Sequence, residues 1–504
     1  MKKLTAVAVM VGIVVATIYA DDQSIDPKVI NGWGRLTTGQ VVSAQENLDP
    51  NDYRFKREWL KNFYGGIRIQ GRIAPHTVGR FTGGFGLLFS ARQTNKMIAS
   101  TELSGKKVVP VLLDATIQSS FDLFDGRDLF QVEFGYFPFK YNPQSVNLGE
   151  YLYRSGTYPG FLISGFENST DKPKLCGVHL SYTMQLAGKL RHDLLLTTEM
   201  DFYPLHDPNL GYILTYTTPR PFFEVGGGVE LARFLPVEKS RTTPGLDKDN
   251  FNMRVPDSRK WVGYVDSATG DTTMYTFSGT KLMGRLTLNP QAFYRIPFFG
   301  EQDLKIYGEV AVLGVKNYDG WYENRGERIP VMFGMNWPTH PLMSYCVIPG
   351  MLGYLLEKKA SEKKRRAGTF GAGGVVLGVG LWLLDRIFDM NTRPDVVAIE
   401  GEWYGSKYWN TQEFAWKNNS PVPYSGSSVS PDISDWNAKT DDDWKWSVYL
   451  SKKITPFLRI SGQVASDHTP RNWYTPGPPS FVKYTELVPR SNDWYWMTRV
   501  SYYF

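Results

Sequence analysis

The sequence predicts an all-β protein, a transmembrane antiparallel β-barrel of about sixteen strands with fourteen to eighteen as the range, carrying one helical insertion. Three observations lead there: an alternating closing strand, an export signal at the start, and a regular succession of short and long connections. The closing stretch DWYWMTRVSYYF, residues 493–504, splits by period two. Trp494, Trp496, Thr498, Val500, Tyr502 and Phe504 share one face, and Asp493, Tyr495, Met497, Arg499, Ser501 and Tyr503 share the other. One face suits lipid with aromatic ends, and the other suits water.

The opening stretch MKKLTAVAVMVGIVVATIYADD has two lysines, an apolar run from Leu4 to Ile18 and a cleavage position after Ala20. These are the parts of a secretory signal peptide over 1–20, which leaves 21–504 as the mature barrel. The run is short for a membrane-spanning helix and polar sequence follows it directly. No cysteine stands near the cleavage position, so a lipid anchor there is not expected.

Connections supply the third observation. WKWSVYLS (444–451) joins FLRISGQVAS (457–466) through the short KKITP, and a long polar segment then leads to the closing strand. Outer-membrane barrels have short periplasmic turns and long outer loops, so KKITP is assigned inside and 467–492 outside. Carried backward, the rule puts TPRP, AGKLR and PFFGEQ on the inner side and the segment 235–277 outside. Strands are expected at 29–36, 63–73, 82–92, 108–121, 127–139, 174–186, 192–203, 211–218, 222–234, 278–294, 303–316, 328–337, 395–408, 444–453, 457–466 and 493–504. The first is the weakest pattern, because VINGWGRL carries two glycines.

Alternation also sorts the charges. Arg68, Arg72, Glu133, Glu199, Asp201, Glu224, Glu230, Arg285, Lys305, Glu309, Glu400, Glu402, Lys445, Arg459 and Arg499 fall on the lumen side as candidate pore-lining residues. Ile67, Ile69, Leu196, Val225, Leu286, Ile306, Val310, Ile399, Val448, Ile460 and Val500 fall on the lipid side. Diluted in this way, lipid-facing residues leave the overall apolar content at 42%, with aromatics at 14%. The formal charge of +6 becomes +4 once Lys2 and Lys3 leave with the signal, too mild to argue for or against nucleic acid, and no nucleic-acid partner is expected. Cys176 starts a strand at its outer end and Cys346 lies on the periplasmic side, farther apart than the ~7 Å a disulfide spans between Cα atoms.

Between 337 and 395 the two-residue period is lost. GMLGYLLEKKASEKKRRA reads as a helix ending near Gly368, and TFGAGGVVLGVGLWLLDRIFDM as a second, apolar and glycine-rich one. Both flanking strands have their inner ends here, which places the helical insertion 346–392 on the periplasmic side. An interfacial pair, a plug in the lumen, a true membrane span and a packed hairpin without function all remain open. In the interfacial case Lys358, Lys359, Lys363, Lys364, Arg365 and Arg366 would meet anionic lipid headgroups.

Catalytic and cofactor chemistry finds little support. Asp467 with His468, His206 with Asp207, and His192 with Asp193 are adjacent acid and imidazole groups, but no GxSxG elbow accompanies them. No HExxH, paired CxxC or EF-hand loop occurs, and the run Asp441, Asp442, Asp443 reads as a solvated loop end. No enzyme, cofactor or metal is therefore expected. The segment YNPQSVNLGEYLYRSGTYPGFLISGFENSTDKPK, residues 141–174, is more apolar than a solvated loop needs. It folds either into the lumen, with Glu150 and Arg154 as further candidate lining charges opposite Arg285 and Arg459, or over the outer rim.

The signal peptide, the alternating strands and the terminal RVSYYF resemble bacterial outer-membrane porin-type barrels, and VEFGYFPFKYNP (132–143) is weakly similar to strands of substrate-selective ones. The resemblance implies a location in the outer membrane and contact with its lipid. It also implies assembly by the barrel insertion machinery through the closing strand, and, by analogy, a homo-trimer. The function it implies is passive diffusion of small hydrophilic solutes. The alternative is a non-conducting surface or envelope barrel whose outer loops bind a polymer, a partner or a surface.

Overall fold

The computed structural model describes residues 26–43, 59–89, 106–124, 126–154, 174–198, 200, 207–235, 261–265, 272–276, 279–296, 299–315, 325–340, 383, 393–404, 444–474, 482–486, 488 and 493–504. The strands in chain order are β1 (Asp26–Ser43), β2 (Trp59–Ala74), β3 (Thr77–Phe89), β4 (Lys106–Leu123), β5 (Asp128–Pro138), β6 (Lys174–Leu186) and β7 (Gly188–Thr198). They continue as β8 (Pro208–Thr217), β9 (Phe223–Ala232), β10 (Trp261–Val265), β11 (Thr272–Thr276), β12 (Gly279–Leu288), β13 (Ile306–Val312) and β14 (Val331–Asn336). The last six are β15 (Val396–Trp403), β16 (Trp444–Lys453), β17 (Leu458–Ser466), β18 (Pro470–Tyr474), β19 (Val482–Glu486) and β20 (Trp494–Tyr503). All but β10, β11, β18 and β19 pair with their neighbours into one closed antiparallel barrel of sixteen strands. Closure leaves no strand edge unpaired, which is the condition for crossing a bilayer with strands.

The seam joins β20 to β1, with Leu36 opposite Val500 and Trp33 opposite Tyr503. It is completed by Phe504 N donating to the Gly32 carbonyl at 2.9 Å and Gly32 N donating to the Phe504 carbonyl at 2.6 Å. The glycine-bearing first strand is thus longer than its pattern predicts. A Cβ at Gly32 would stand 2.2 Å from the Phe504 ring, so the glycine makes room for the terminal side chain.

Outside, Ile67, Phe81, Ile117, Leu194, Leu286, Val310 and Ile460 are exposed between two aromatic rims. Phe222, Phe293, Phe457, Tyr502 and Phe504 mark the short-connection end, and Trp59, Trp403 and Trp444 the other. Trp496 packs edge-on against Trp59 with ring centroids 6.0 Å apart. An aliphatic band between aromatic girdles is what a lipid-facing barrel wall presents.

Three spans depart from expectation. The strand expected over 278–294 stops at Leu288, because Pro290 cannot donate to a ladder and instead opens the helical turn Pro290–Phe293. The expected outer loops 235–277 and 467–492 contain separate hairpins, β10 with β11 and β18 with β19. The signal peptide 1–20 and the insertion 346–392, apart from Leu383, lie outside the described residues, as does Cys346. Among the described residues no helix is long and apolar enough to cross a membrane.

Candidate functional site

Pairing of β5 ends at Pro138, opposite Lys174, and the chain that follows turns into the lumen instead of over the rim. Irregular backbone there carries N–H groups that no strand can satisfy. Wall glutamates on β13 and β15 satisfy them. Glu309 accepts the backbone N–H of Glu150 at 3.0 Å and of Tyr151 at 2.9 Å, together with Tyr141 Oη at 2.6 Å and Asn142 Nδ2 at 2.9 Å. Glu400 accepts the N–H groups of Val146, Asn147 and Leu148 at 2.5, 2.8 and 3.0 Å and the Tyr307 hydroxyl at 2.9 Å. Glu402 accepts Tyr151 Oη at 2.8 Å and meets His468 Nε2 at 2.5 Å, so one carboxylate ties the inward loop to the segment after β17. Bonds to an ionised acceptor are roughly twice as strong as neutral ones, and this is where the loop's docking energy concentrates.

Apolar packing completes the docking. Leu148, Tyr151 and Leu152 of the loop are buried against Leu195 of β7, Ile213 of β8, Met283 of β12, Tyr307 of β13 and Met332 of β14. Wall glycines give the space: a Cβ at Gly211 would fall 1.8 Å from Tyr153 Oη, and one at Gly334 would fall 2.2 Å from the Tyr307 ring. The loop thereby covers the inner face from β6, where Phe139 packs on His179, round to β16, where Asn147 Nδ2 donates to Ser447 Oγ.

Glu150 and Arg154 are both buried within this loop. Glu150 accepts the N–H groups of Tyr141 and Asn142, and Arg154 Nη1 donates to the Asn147 carbonyl at 3.2 Å. Burial, with the Glu309 carboxylate beside it, pushes the Glu150 carboxyl up to about 7. Glu230, Glu309, Glu400, Glu402, Lys445 and Arg499 are buried on the inner face. Lys445 Nζ donates to the Val488 carbonyl at 2.9 Å, which holds a second long connection against the wall.

Elsewhere the described inner-face charges range from exposed to buried. Arg68, Arg72 and Arg459 are exposed, and Glu133, Glu224 and Lys305 are half-buried. Arg68 Nε donates to Thr82 Oγ1 at 3.3 Å and Arg72 Nε to the Pro75 carbonyl at 3.0 Å. Arg285 is buried, with Nη1 2.5 Å from Glu224 Oε1, while Lys281 Nζ lies 3.3 Å from Glu230 Oε2. Glu199, Asp201 and the basic cluster Lys358, Lys359, Lys363, Lys364, Arg365 and Arg366 lie outside the described residues.

Sequence reasoning missed a chain of alternating charges across β3 to β7. Arg80 Nη2 meets Glu133 at 3.1 Å, His179 lies between Glu133 at 3.5 Å and Asp193 at 2.8 Å, and Arg191 Nη2 meets Asp193 at 2.8 Å. The same lumen-side periodicity that selected Glu133 would have selected Arg80, His179 and Asp193. It also separates His192 from Asp193: His192 turns outward to Tyr212 Oη at 2.7 Å. Asp467 and His468 are buried, with Asp467 accepting Tyr495 Oη at 2.9 Å and Gln463 Nε2 at 2.7 Å. His206 and Asp441 to Asp443 lie outside the described residues.

Beneath the loop, toward the short-connection end, a cavity of about 300 Å3 opens between residues 140–147 and the inner ends of β14, β15, β16 and β17. Lys140 and Arg459 supply positive charge to it, and Asp395 one carboxylate.

The architecture is that of a porin-like barrel: sixteen closed antiparallel strands with a loop folded inward. No family model and no curated protein matches the chain. Among solved structures it is similar to a double mutant of the Rhodopseudomonas blastica porin, at 7% identity and a TM-score of 0.37 over 95% of this chain and 100% of that one. A triple mutant of the same porin gives 7% identity and a TM-score of 0.35 over 95% and 100%.

Proposed function

We propose that this protein is a porin-like channel of the bacterial outer membrane, through which small hydrophilic solutes diffuse passively. The observation that carries the reading is the one-sided docking of the inward loop. Its anchors and apolar contacts lie on β6 to β16, while Arg68, Arg72 and Arg80 on β2 and β3 and Arg459 on β17 stay accessible to solvent. A path bounded by charged side chains on one side and a docked loop on the other admits hydrated solutes and limits their size.

In this reading the mature chain begins after Ala20, outer-membrane lipid covers the aliphatic band, and the insertion machinery reads the closing strand. The segment 346–392 then sits on the periplasmic side, because β14 and β15 both have their short-connection ends there. Purified protein in planar bilayers should show discrete ion-permeable steps. Silence from both the full chain and a variant lacking 346–392 would sink the channel and leave a non-conducting surface protein in its place.

A further inference from the structure

The charge ladder across β3 to β7 has an imidazole at its centre. His179 on β6 turns both ring nitrogens to carboxylates, Nε2 at 2.8 Å from Asp193 Oδ1 on β7 and Nδ1 at 3.5 Å from Glu133 Oε2 on β5. A neutral imidazole has one N–H and donates to one of them, whereas an imidazolium donates to both. Aromatic packing holds the ring in place, with Phe137 stacked on it at 6.0 Å between centroids and Phe139, at the root of the inward loop, edge-on at 5.1 Å.

The ladder is buried at its centre and wet at its ends. The His179 side chain is 9% exposed, and those of Arg80 and Arg191 are 28% and 41% exposed. While His179 is neutral the two carboxylates balance the two arginines, Glu133 meeting Arg80 at 3.1 Å and Asp193 meeting Arg191 at 2.8 Å. A proton on His179 draws on both carboxylates at once and leaves the two exposed guanidinium groups part-compensated. Other groups face the ladder too. Asp114 on β4, which accepts Thr116 Oγ1 at 2.7 Å, acts on Arg80 and Glu133, and the Tyr153 hydroxyl of the loop, whose ring packs on Phe139, lies in the field of Asp193, Glu150 and Glu230. Burial keeps that hydroxyl protonated well above its ordinary value, so it adds no charge.

We propose that His179 is a proton-operated determinant of ion selectivity in the lumen, strengthening its preference for small anions in acid and relaxing it in alkali. The sign follows from the charge: protonation adds one positive charge to a balanced set, and low-dielectric walls carry that field into the path. This role rests on the channel reading and deepens it. A ladder that only braced the wall would leave selectivity level across the same range.

Reversal potentials under a low-salt KCl gradient test it, taken from about pH 5 to about pH 8, where an ordinary imidazole changes charge. Glu150 titrates at about 7 and would act in the same sense, so full-length protein carrying Glu150→Gln is the reference. Its chloride-to-potassium permeability ratio should be higher at the acid end by about twofold or more. His179→Gln should flatten that profile. Glu133→Gln, which takes one carboxylate from the imidazolium and is the milder change to the wall, should move the midpoint to lower pH. A profile that is flat or reversed in the reference protein, that survives His179→Gln, or whose midpoint Glu133→Gln leaves in place would overturn the role of His179. Steps with a flat profile remove that role alone, whereas silence in the bilayer removes the channel and the selectivity role with it.

Discussion

At the scale of the residue, two carboxylates carry most of the inward loop. Glu400 alone receives three consecutive backbone N–H groups, from Val146 to Leu148. Each buried donor left unmet costs about 1–3 kcal/mol, so Glu400→Ala should weaken loop docking by about 3 kcal/mol or more. Hydrogen exchange at those three amides should accelerate while barrel amides hold, and unit conductance should rise as the loop leaves the lumen. Glu150 adds a dependence on pH. Its carboxyl is pushed up to about 7 in the docked loop by burial and by Glu309, against the opposing pull of Lys140 and Arg154. Freed into water, it would titrate at the ordinary carboxylate value near 4.5. The docked state therefore holds the proton more tightly, so docking is strongest below pH of about 4.5, weakens as pH rises toward about 7, and is level above that. Exchange at the loop amides should follow that course, and Glu150→Gln should flatten it.

At the scale of the element, strands were legible and their partners in the lumen were not. Period-two alternation identifies every barrel strand because lipid on one side and polar groups on the other act on each residue in turn. That pattern cannot tell Glu400, which holds backbone amides, from Glu133, which holds Arg80, since both occupy inner positions. Backbone N–H donors leave no mark in a sequence, so the anchoring of 141–154 could be read only as an apolar excess in a loop. The seam was most legible from its end, through the aromatic alternation of β20, whereas β1, its pattern interrupted by glycines, was read over 29–36 alone and runs Asp26–Ser43. Gly32 has a steric reason to be there, and Gly32→Val should displace the Phe504 ring from the closing pair. Overpacking of this kind costs about 1–3 kcal/mol. The folded, faster-migrating form on denaturing gels should be lost at a lower temperature than in the wild type, while Gly34→Ala, whose Cβ would meet the Phe63 ring at an ordinary 3.9 Å, should leave it near the wild-type value.

At the scale of the whole molecule, the arrangement of charge decides what kind of ion the lumen favours. Glu309, Glu400 and Glu402 are spent beneath the loop on amides, hydroxyls and an imidazole. Glu133, Asp193 and Glu224 are each set against an arginine. Arg68, Arg72 and Arg459 face solvent without an ion-pair partner among the described residues, so the uncompensated charge on the open arc is positive. Low-dielectric walls focus such a field on the path. Under a KCl gradient the reversal potential should therefore show anion preference, and Arg68→Glu together with Arg72→Glu should shift it toward cations. The preference should fade as salt rises, because the screening length falls from about 10 Å at 0.1 M to about 3 Å at 1 M. A wild-type reversal potential on the cation side at low salt would mean that charges other than these three arginines govern the path. An anion preference that survives 1 M KCl undiminished would point instead to direct coordination of the anion by guanidinium groups.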